Sequence, residues 1–167
     1  ADWQNSRHYG SPYSFMGIPL TRNLSLADVV VVGIPFDLGV SYRPGARFGP
    51  RGIRDASGQM YPHGQRVEDL HEPYKRLRVV DYGDLNVPYA YIDEAVKFIE
   101  SSVDEISKSD VFPIFLGGDH TISLPVMRSL FKKHGKMALV HIDAHPDFWN
   151  PPDGMPYNHG TTFRIAY

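Results

Sequence analysis

The sequence contains no cysteine, which excludes disulfide bonds and thiolate metal ligands. Any bound metal ion must therefore be held by histidine, aspartate or glutamate. The sequence also has no G-x-S-x-G run, no G-x-G-x-x-G loop and no P-loop. These absences argue against a serine nucleophile and against a nucleotide site, because each chemistry depends on the missing motif.

Neither charge nor hydropathy points to a nucleic acid or a membrane. Seventeen basic and nineteen acidic side chains give a net charge of -2, without the basic excess of a nucleic-acid groove. The longest apolar stretch, near Val29–Ile34, is too short to span a bilayer. The first residues, Ala1 to Phe15, lack the apolar region of a signal peptide. We therefore expect a cytoplasmic protein that binds neither nucleic acid nor membrane.

Apolar periodicity predicts alternating strands and helices. The expected strands are short, apolar and typical of a parallel sheet covered on both faces: Val29–Gly33, Arg76–Tyr82, Val111–Leu116 and Met137–Ile142. The expected helices are Ala90–Ser107, Ser123–His134 with Ser123 as its cap, and a shorter one from about Pro50. The N-terminal arm and Gln59–Tyr74 are interpreted as ordered surface loops. This order predicts an α/β fold with right-handed crossovers.

Two of the predicted strands run directly into ionisable clusters. Asp143, His145 and Asp147 alternate along the chain, so an extended backbone would direct all three side chains to one side. His120 follows the preceding strand in a Gly-Gly-Asp-His run. Close carboxylates repel each other unless a cation lies between them. Oxygen and nitrogen ligands without sulfur suit Mn²⁺, with Zn²⁺, Fe²⁺, Co²⁺ or Ni²⁺ as alternatives.

A simpler interpretation competes for each of these residues. An aspartate or histidine at a strand end can serve as a cap or a loop hydrogen-bonding group. The joint occurrence of both motifs at two strand ends favours a metal site. Asp119 is predicted to orient a neighbouring ligand. His141 has the same parity as the cluster, but we interpret it as a buried, hydrogen-bonded histidine and not as a ligand.

Several ordered motifs resemble the ureohydrolase family of arginases and agmatinases, and are closest in style to the agmatinase branch. The matching segments are Gly33–Asp37, Arg43–Pro50, Ile53–Arg54, Leu116–His120, His141–His145 and Asn158–Thr161. The resemblance implies a three-layer α/β/α sandwich with a mainly parallel sheet, incomplete at the C-terminus. It also implies two Mn²⁺ ions per complete subunit, with Ni²⁺ or another divalent ion as an alternative.

The resemblance also implies roles for individual residues. His120, Asp143 and Asp147 would hold one metal ion, and Asp143 and His145 the other. His159 would be the catalytic proton donor to the leaving amine. The expected reaction is hydrolysis of a small guanidino compound, above all agmatine, to urea and an amine. Family resemblance further suggests a homo-oligomer, a trimer or a hexamer.

The sequence departs from the family pattern in two ways. A later Asp-x-Asp pair and a later glutamate do not occur before Tyr167, and Pro146, Phe148 and Trp149 are unusual beside the common D-A-H-T-D-T run. The two aromatic rings could shape substrate entry or pack in the core. We therefore expect residues 1–167 to be the N-terminal part of a single domain, trimmed at both ends and inactive alone.

Three alternatives stay open at this point. The substrate could be guanidinobutyrate, guanidine or another guanidino compound, because loops set substrate choice in such folds. The chain could instead be a truncated, non-catalytic binding partner. It could also be a metallohydrolase for deamidation, deacetylation or phosphoester cleavage. Direct detection of urea separates the first group from the other two.

Overall fold

The protein is described by a computed structural model that covers residues 14–58 and 76–167. Within these residues, three strands form one parallel sheet in the order β2-β1-β3. The strands are β1 (Val29–Ile34), β2 (Val79–Asp84) and β3 (Phe112–Gly117). The central strand β1 is buried along its whole length, as its run of valines requires. The predicted parallel sheet and three of its four strands are confirmed.

Four α-helices accompany the sheet in the described residues. They are α1 (Gly49–Ser57), α2 (Ile92–Ser107), α3 (Ser123–His134) and α4 (Thr162–Ala166). The bounds predicted for α3 are confirmed, but the cap is not Ser123. Asp119 instead caps a preceding 3-10 turn, His120–Ile122, by accepting a hydrogen bond from the Thr121 amide. The chain has therefore already begun to coil when it reaches Ser123.

The helices and the N-terminal segment cover the two faces of the sheet. On one face, Val30, Val32 and Ile34 pack against the apolar stripe of α2, and α2 contacts α3. On the other face, Val31 packs against Ile18. Helix α1 contacts β1, β3 and the turn at residues 15–17. This arrangement gives the expected three layers.

A buried ion pair joins α1 to β2. The Arg54 guanidinium donates to both carboxylate oxygens of Asp81, at 2.8 and 2.9 Å, and also pairs with Asp84. The Arg54 side chain is 5% exposed and that of Asp81 0%. Burial by itself would raise the pKa of Asp81, but hydrogen bonds from Arg54 and two backbone amides lower it overall. Asp81 is therefore held as a carboxylate inside the protein.

The prediction of a fourth strand at Met137–Ile142 is wrong. This segment forms no ladder with any described residue, and Val140 and Ile142 are 85% and 93% exposed. An apolar run predicts burial, but a strand also needs a partner for its backbone hydrogen bonds. Burial on both faces is also wrong for β3, where Phe112 is exposed.

Some predictions fall on residues that the structure does not describe. The loop Gln59–Tyr74 lies outside the described residues, as does the N-terminal arm up to residue 13. Among the helices of the described part of the chain, none combines the length and apolar character needed to cross a bilayer.

Candidate metal centre

The turn after β3 brings His120 to the carboxyl end of the sheet. It depends on Gly118, which has a φ of 41° and passes close to the end of β1. A Cβ atom at this position would lie only 2.6 Å from the carbonyl oxygen of Ile34. Glycine is required here, because any side chain would be both strained and in collision.

Asp119 joins two loops beside the site. Its carboxylate accepts one hydrogen bond from the Gly39 amide and one from the Thr121 amide, both at 2.8 Å. Its burial raises the pKa of this carboxyl group, although these hydrogen bonds oppose the shift. The contact with Thr121 fixes the residue next to His120, which agrees with an orienting role.

His120 meets two of the predicted carboxylate ligands. Its Nδ1 atom lies 2.7 Å from Oδ2 of Asp147 and 3.5 Å from Oδ2 of Asp143. The pKa of Asp143 is lowered, first by a hydrogen bond from the His145 amide and then by nearby imidazoles. Both features favour a cluster that is ready to bind a cation.

The backbone of residues 143–147 does not adopt the predicted extended conformation. Residues 143–145 form a bend, and Asp147 has a left-handed φ of 44°. The expected extended run is therefore wrong, although Asp143 and Asp147 still converge on His120. The ring of His145 lies further out: its Nδ1 is 4.0 Å from Asp143, and its side chain is 80% exposed.

His141 belongs to the cluster, contrary to its interpretation from the sequence. Its Nε2 atom is buried without a hydrogen-bond partner and lies 3.6 Å from Oδ2 of Asp143. His120, His141 and Asp143 each offer one ligand atom, and these atoms all lie within 4.8 Å of one another. The shared parity of residues 141 and 143 was the signal in the sequence. The interpretation as a hydrogen-bonded histidine is wrong, because Nε2 has no such bond.

His159 approaches the same site from the later part of the chain. Its Nδ1 atom lies 2.8 Å from the carbonyl oxygen of Gly39, which can only accept a hydrogen bond. Nδ1 therefore carries the proton, and Nε2 is the ring atom that can gain or lose one. The backbone amide of His159 also donates a hydrogen bond to the Gly39 carbonyl. The Thr162 hydroxyl donates to the His120 carbonyl and so links the turn at His159–Thr161 to the turn at His120–Ile122.

Every predicted site residue lines a single cavity of about 360 Å³. It is lined by His120, Asp143, His145, Asp147 and His159, with Asp119 and the loop residues 40–43. The donor set fits a divalent cation, because it offers imidazole nitrogens and carboxylate oxygens without sulfur. The unpartnered Nε2 of His141 supports the same conclusion.

The two unusual aromatic residues separate in the structure. Trp149 is 73% exposed and lines a second cavity of about 550 Å³, which shares His145, Asp147 and His159 with the first. Phe148 lies against the Arg164 guanidinium and the ring of Tyr167. Only Trp149 is therefore placed to contact a molecule that enters the site.

Comparison with curated proteins finds relatives along nearly the whole chain. Guanidinobutyrase of Pseudomonas aeruginosa is 41% identical over 161 residues, which are 95% of this chain and 50% of the relative. Agmatinase of Bacillus subtilis is 37% identical over 141 residues, which are 84% of this chain and 47% of the relative. The chain thus spans about half the length of the curated relatives it matches.

The fold has the same relatives. Proclavaminate amidino hydrolase from Streptomyces clavuligerus superposes with a TM-score of 0.89 at 35% identity, covering 96% of this chain and 53% of that protein. The three-layer arrangement described above is therefore the arginase fold. Residues 27–167 match the sequence model of the arginase family. On its sequence and its fold, the chain belongs to the arginase family.

Proposed function

We propose that the complete protein containing this chain hydrolyses a guanidino compound to urea and an amine at a pair of divalent metal ions. Proteins of the arginase family are binuclear-metal enzymes. The observation that carries the proposal is the meeting of His120, Asp143 and Asp147 in one cavity with His159 on its wall. The cavity is lined by chain segments that are distant in sequence, at residues 40–43, 119–120 and 143–159. Chance contacts between loops would not be expected to bring all the predicted site residues together.

The chain's own residues have distinct roles in this proposal. His120, Asp143 and Asp147 would hold one ion, and Asp143 with His145 the other. When bound, the metal pair supplies Lewis acidity that lowers the pKa of water and stabilises negative charge. Asp143 is a carboxylate at neutral pH, as a metal ligand requires, and its lowered pKa means that it stays ionised to a lower pH than an ordinary aspartate.

We also propose the identity of the substrate, of the metal and of the assembly. The sequence favours agmatine, whereas the relatives include both a guanidinobutyrase and an agmatinase. Guanidinobutyrate and agmatine both carry a guanidino group, and we propose that the reaction takes place at this group. Mn²⁺ as the physiological metal and a trimer or hexamer as the assembly rest on the resemblance.

Urea release tests the proposed function. The product of the complete gene, loaded with Mn²⁺ or Ni²⁺, is expected to release urea from agmatine, 4-guanidinobutyrate or guanidine. Chelation of the metal should stop the release, and added metal should restore it, because water activation depends on the ions. Colorimetric urea detection is the measurement. A metal-loaded, folded protein that releases no urea from any guanidino compound would contradict the proposal.

His159 is expected to act as the acid that protonates the leaving amine. Replacing it with alanine should lower kcat by about 10²- to 10⁴-fold, the usual contribution of a general acid. His134→Ala, an exposed histidine at the end of α3, is the matched control. Unchanged turnover of His159→Ala across the pH range would remove this role.

A further inference from the structure

Three rings lie against one another beside the candidate metal centre. The ring centre of Phe163 is 5.2 Å from that of His120 in an edge-to-face arrangement, with an angle of 81° between the ring planes. It is 4.3 Å from the ring centre of His141, and the two imidazoles are 5.1 Å apart. Phe163 therefore packs on two histidines of the cluster, although the proposed reaction gives it no role.

Hydrogen bonds fix the position of Phe163 at the start of α4. Its amide donates to the carbonyl oxygen of Asp147 at 3.1 Å. The preceding residue, Thr162, is 1% exposed, and its hydroxyl lies 3.2 Å from the carbonyl oxygen of His120. The start of the helix is thus joined to the backbone of two proposed metal ligands, His120 and Asp147, and this determines where the Phe163 ring lies.

The orientation of the His120 ring decides whether this residue can bind a cation. The lone pair of an imidazole nitrogen lies in the plane of the ring, so a ring that rotates directs the lone pair away from the ion. Nδ1 of His120 faces the carboxylates of Asp143 and Asp147. A metal-binding histidine usually donates its other ring N–H to a carboxylate or a carbonyl, and that bond fixes the ring. Among the residues that the structure describes, none accepts such a bond from Nε2 of His120.

Ordinary core packing does not account for the place of Phe163. Its side chain is half-buried, and neither apolar cluster in the described part of the chain includes it. It also lines neither of the two cavities described above, so it is not placed to touch a substrate. The contacts that remain are those with the imidazoles and with the backbone of the site.

We infer that Phe163 is a positioning residue, which holds the His120 ring in its metal-binding orientation by packing against it. A rotated His120 ring would collide with the ring of Phe163, because edge-to-face packing leaves no free space between the two. The inference rests on the metal centre of the proposed function. It also links that centre to the proton donor, because His159 lies on the turn that leads into α4.

Metal affinity in the absence of substrate tests the inference. The complete protein is stripped of metal and titrated with Mn²⁺ against a competing chelator, and then with Co²⁺, whose visible absorption depends on the geometry of its ligands. Phe163→Leu keeps an apolar side chain but removes the ring. It should raise the Kd of at least one metal site by about 10-fold, as for other residues that orient a metal ligand, and should change the Co²⁺ spectrum. Phe163→Tyr keeps the ring and should retain the affinity and the spectrum of the wild type.

A nearby aromatic residue provides the matched control. Phe148 lies in the same part of the chain, but its ring packs on Tyr167 and on the Arg164 guanidinium. Phe148→Leu should therefore leave both metal affinity and the Co²⁺ spectrum unchanged. Thermal unfolding of the metal-free protein should change little in either leucine variant.

Three outcomes would overturn the inference. They are an unchanged Kd and spectrum in Phe163→Leu, an equal effect of Phe148→Leu, and unfolding of the metal-free Phe163→Leu protein, which would make the ring part of the core. Failure of the proposed function gives a different result. In that case the wild type binds no metal, or binds metal and releases no urea, whereas failure of the inference alone leaves both properties of the wild type intact.

Discussion

Replacing Asp143 with asparagine is expected to lower kcat/KM for urea release by about 10³-fold or more. Asp143 lies within 4.0 Å of three imidazoles, those of His120, His141 and His145, and is proposed to contact both metal ions. Asparagine keeps the shape and removes the charge that holds the cations. Metal ions supply several kcal/mol of charge stabilisation in such reactions, and about 1.4 kcal/mol corresponds to tenfold in rate.

The measurement combines urea release with the metal content of the dialysed protein. Activity and metal content should fall together, whereas thermal unfolding of the metal-free protein should change little. Asp153→Asn is the matched control, because this exposed carboxylate lies ten residues further along the same chain segment. Full activity and full metal content in Asp143→Asn would show that the cluster is not the metal centre.

Replacing Arg54 with leucine is expected to cost about 3–5 kcal/mol of unfolding free energy. The change leaves Asp81 as a buried carboxylate without its cation, and removal of one partner from a buried pair costs about this much. It also breaks the link between α1 and β2. Denaturant unfolding followed by circular dichroism measures the loss.

The pH dependence of this loss has a definite sign. The pKa of Asp81 is lowered in the folded protein, so the pair contributes its stability above the unfolded pKa of about 3.9. That contribution is lost as the pH falls toward the folded pKa. The difference between the wild type and Arg54→Leu should therefore be largest near neutral pH and shrink in acid.

A surface ion pair on another helix is the control for this prediction. Lys97 pairs with Glu94 at 3.1 Å on α2, both side chains are exposed, and such pairs contribute about 0–1 kcal/mol. Lys97→Leu should therefore leave the unfolding free energy nearly unchanged. A similar loss in both variants would mean that the loss of any helix ion pair, and not of the buried one, accounts for the effect.

Several features of the fold could be predicted because their causes are local. The valine run of β1 and the apolar stripe of α2 are periodic patterns within single segments. The Gly-Gly turn before His120 could also be predicted, because Gly118 needs a left-handed backbone that few other residues adopt. Met137–Ile142 was predicted wrongly, because its apolar character says nothing about which strand would pair with it.

The candidate metal cluster shows the same division between local and tertiary causes. The alternation of Asp143, His145 and Asp147 predicted convergence, yet the backbone bends, and only two of the three side chains lie within 3.5 Å of His120. The role of His141 escaped prediction, because a buried histidine is usually hydrogen-bonded. Its missing partner is visible only in three dimensions.

The sequence by itself determined the candidate ligand types, the parallel α/β class and the family resemblance, since these depend on residue identity, periodicity and order along the chain. Tertiary structure alone decided which distant residues meet. The contact of His159 with Gly39 joins positions 120 residues apart, and the position of Arg43 on the cavity wall depends on hydrogen bonds to Asp37 and Asp119. Such contacts depend on the hydrogen bonds that hold the loops in place at the end of the sheet. No local sequence pattern encodes which distant residues become neighbours.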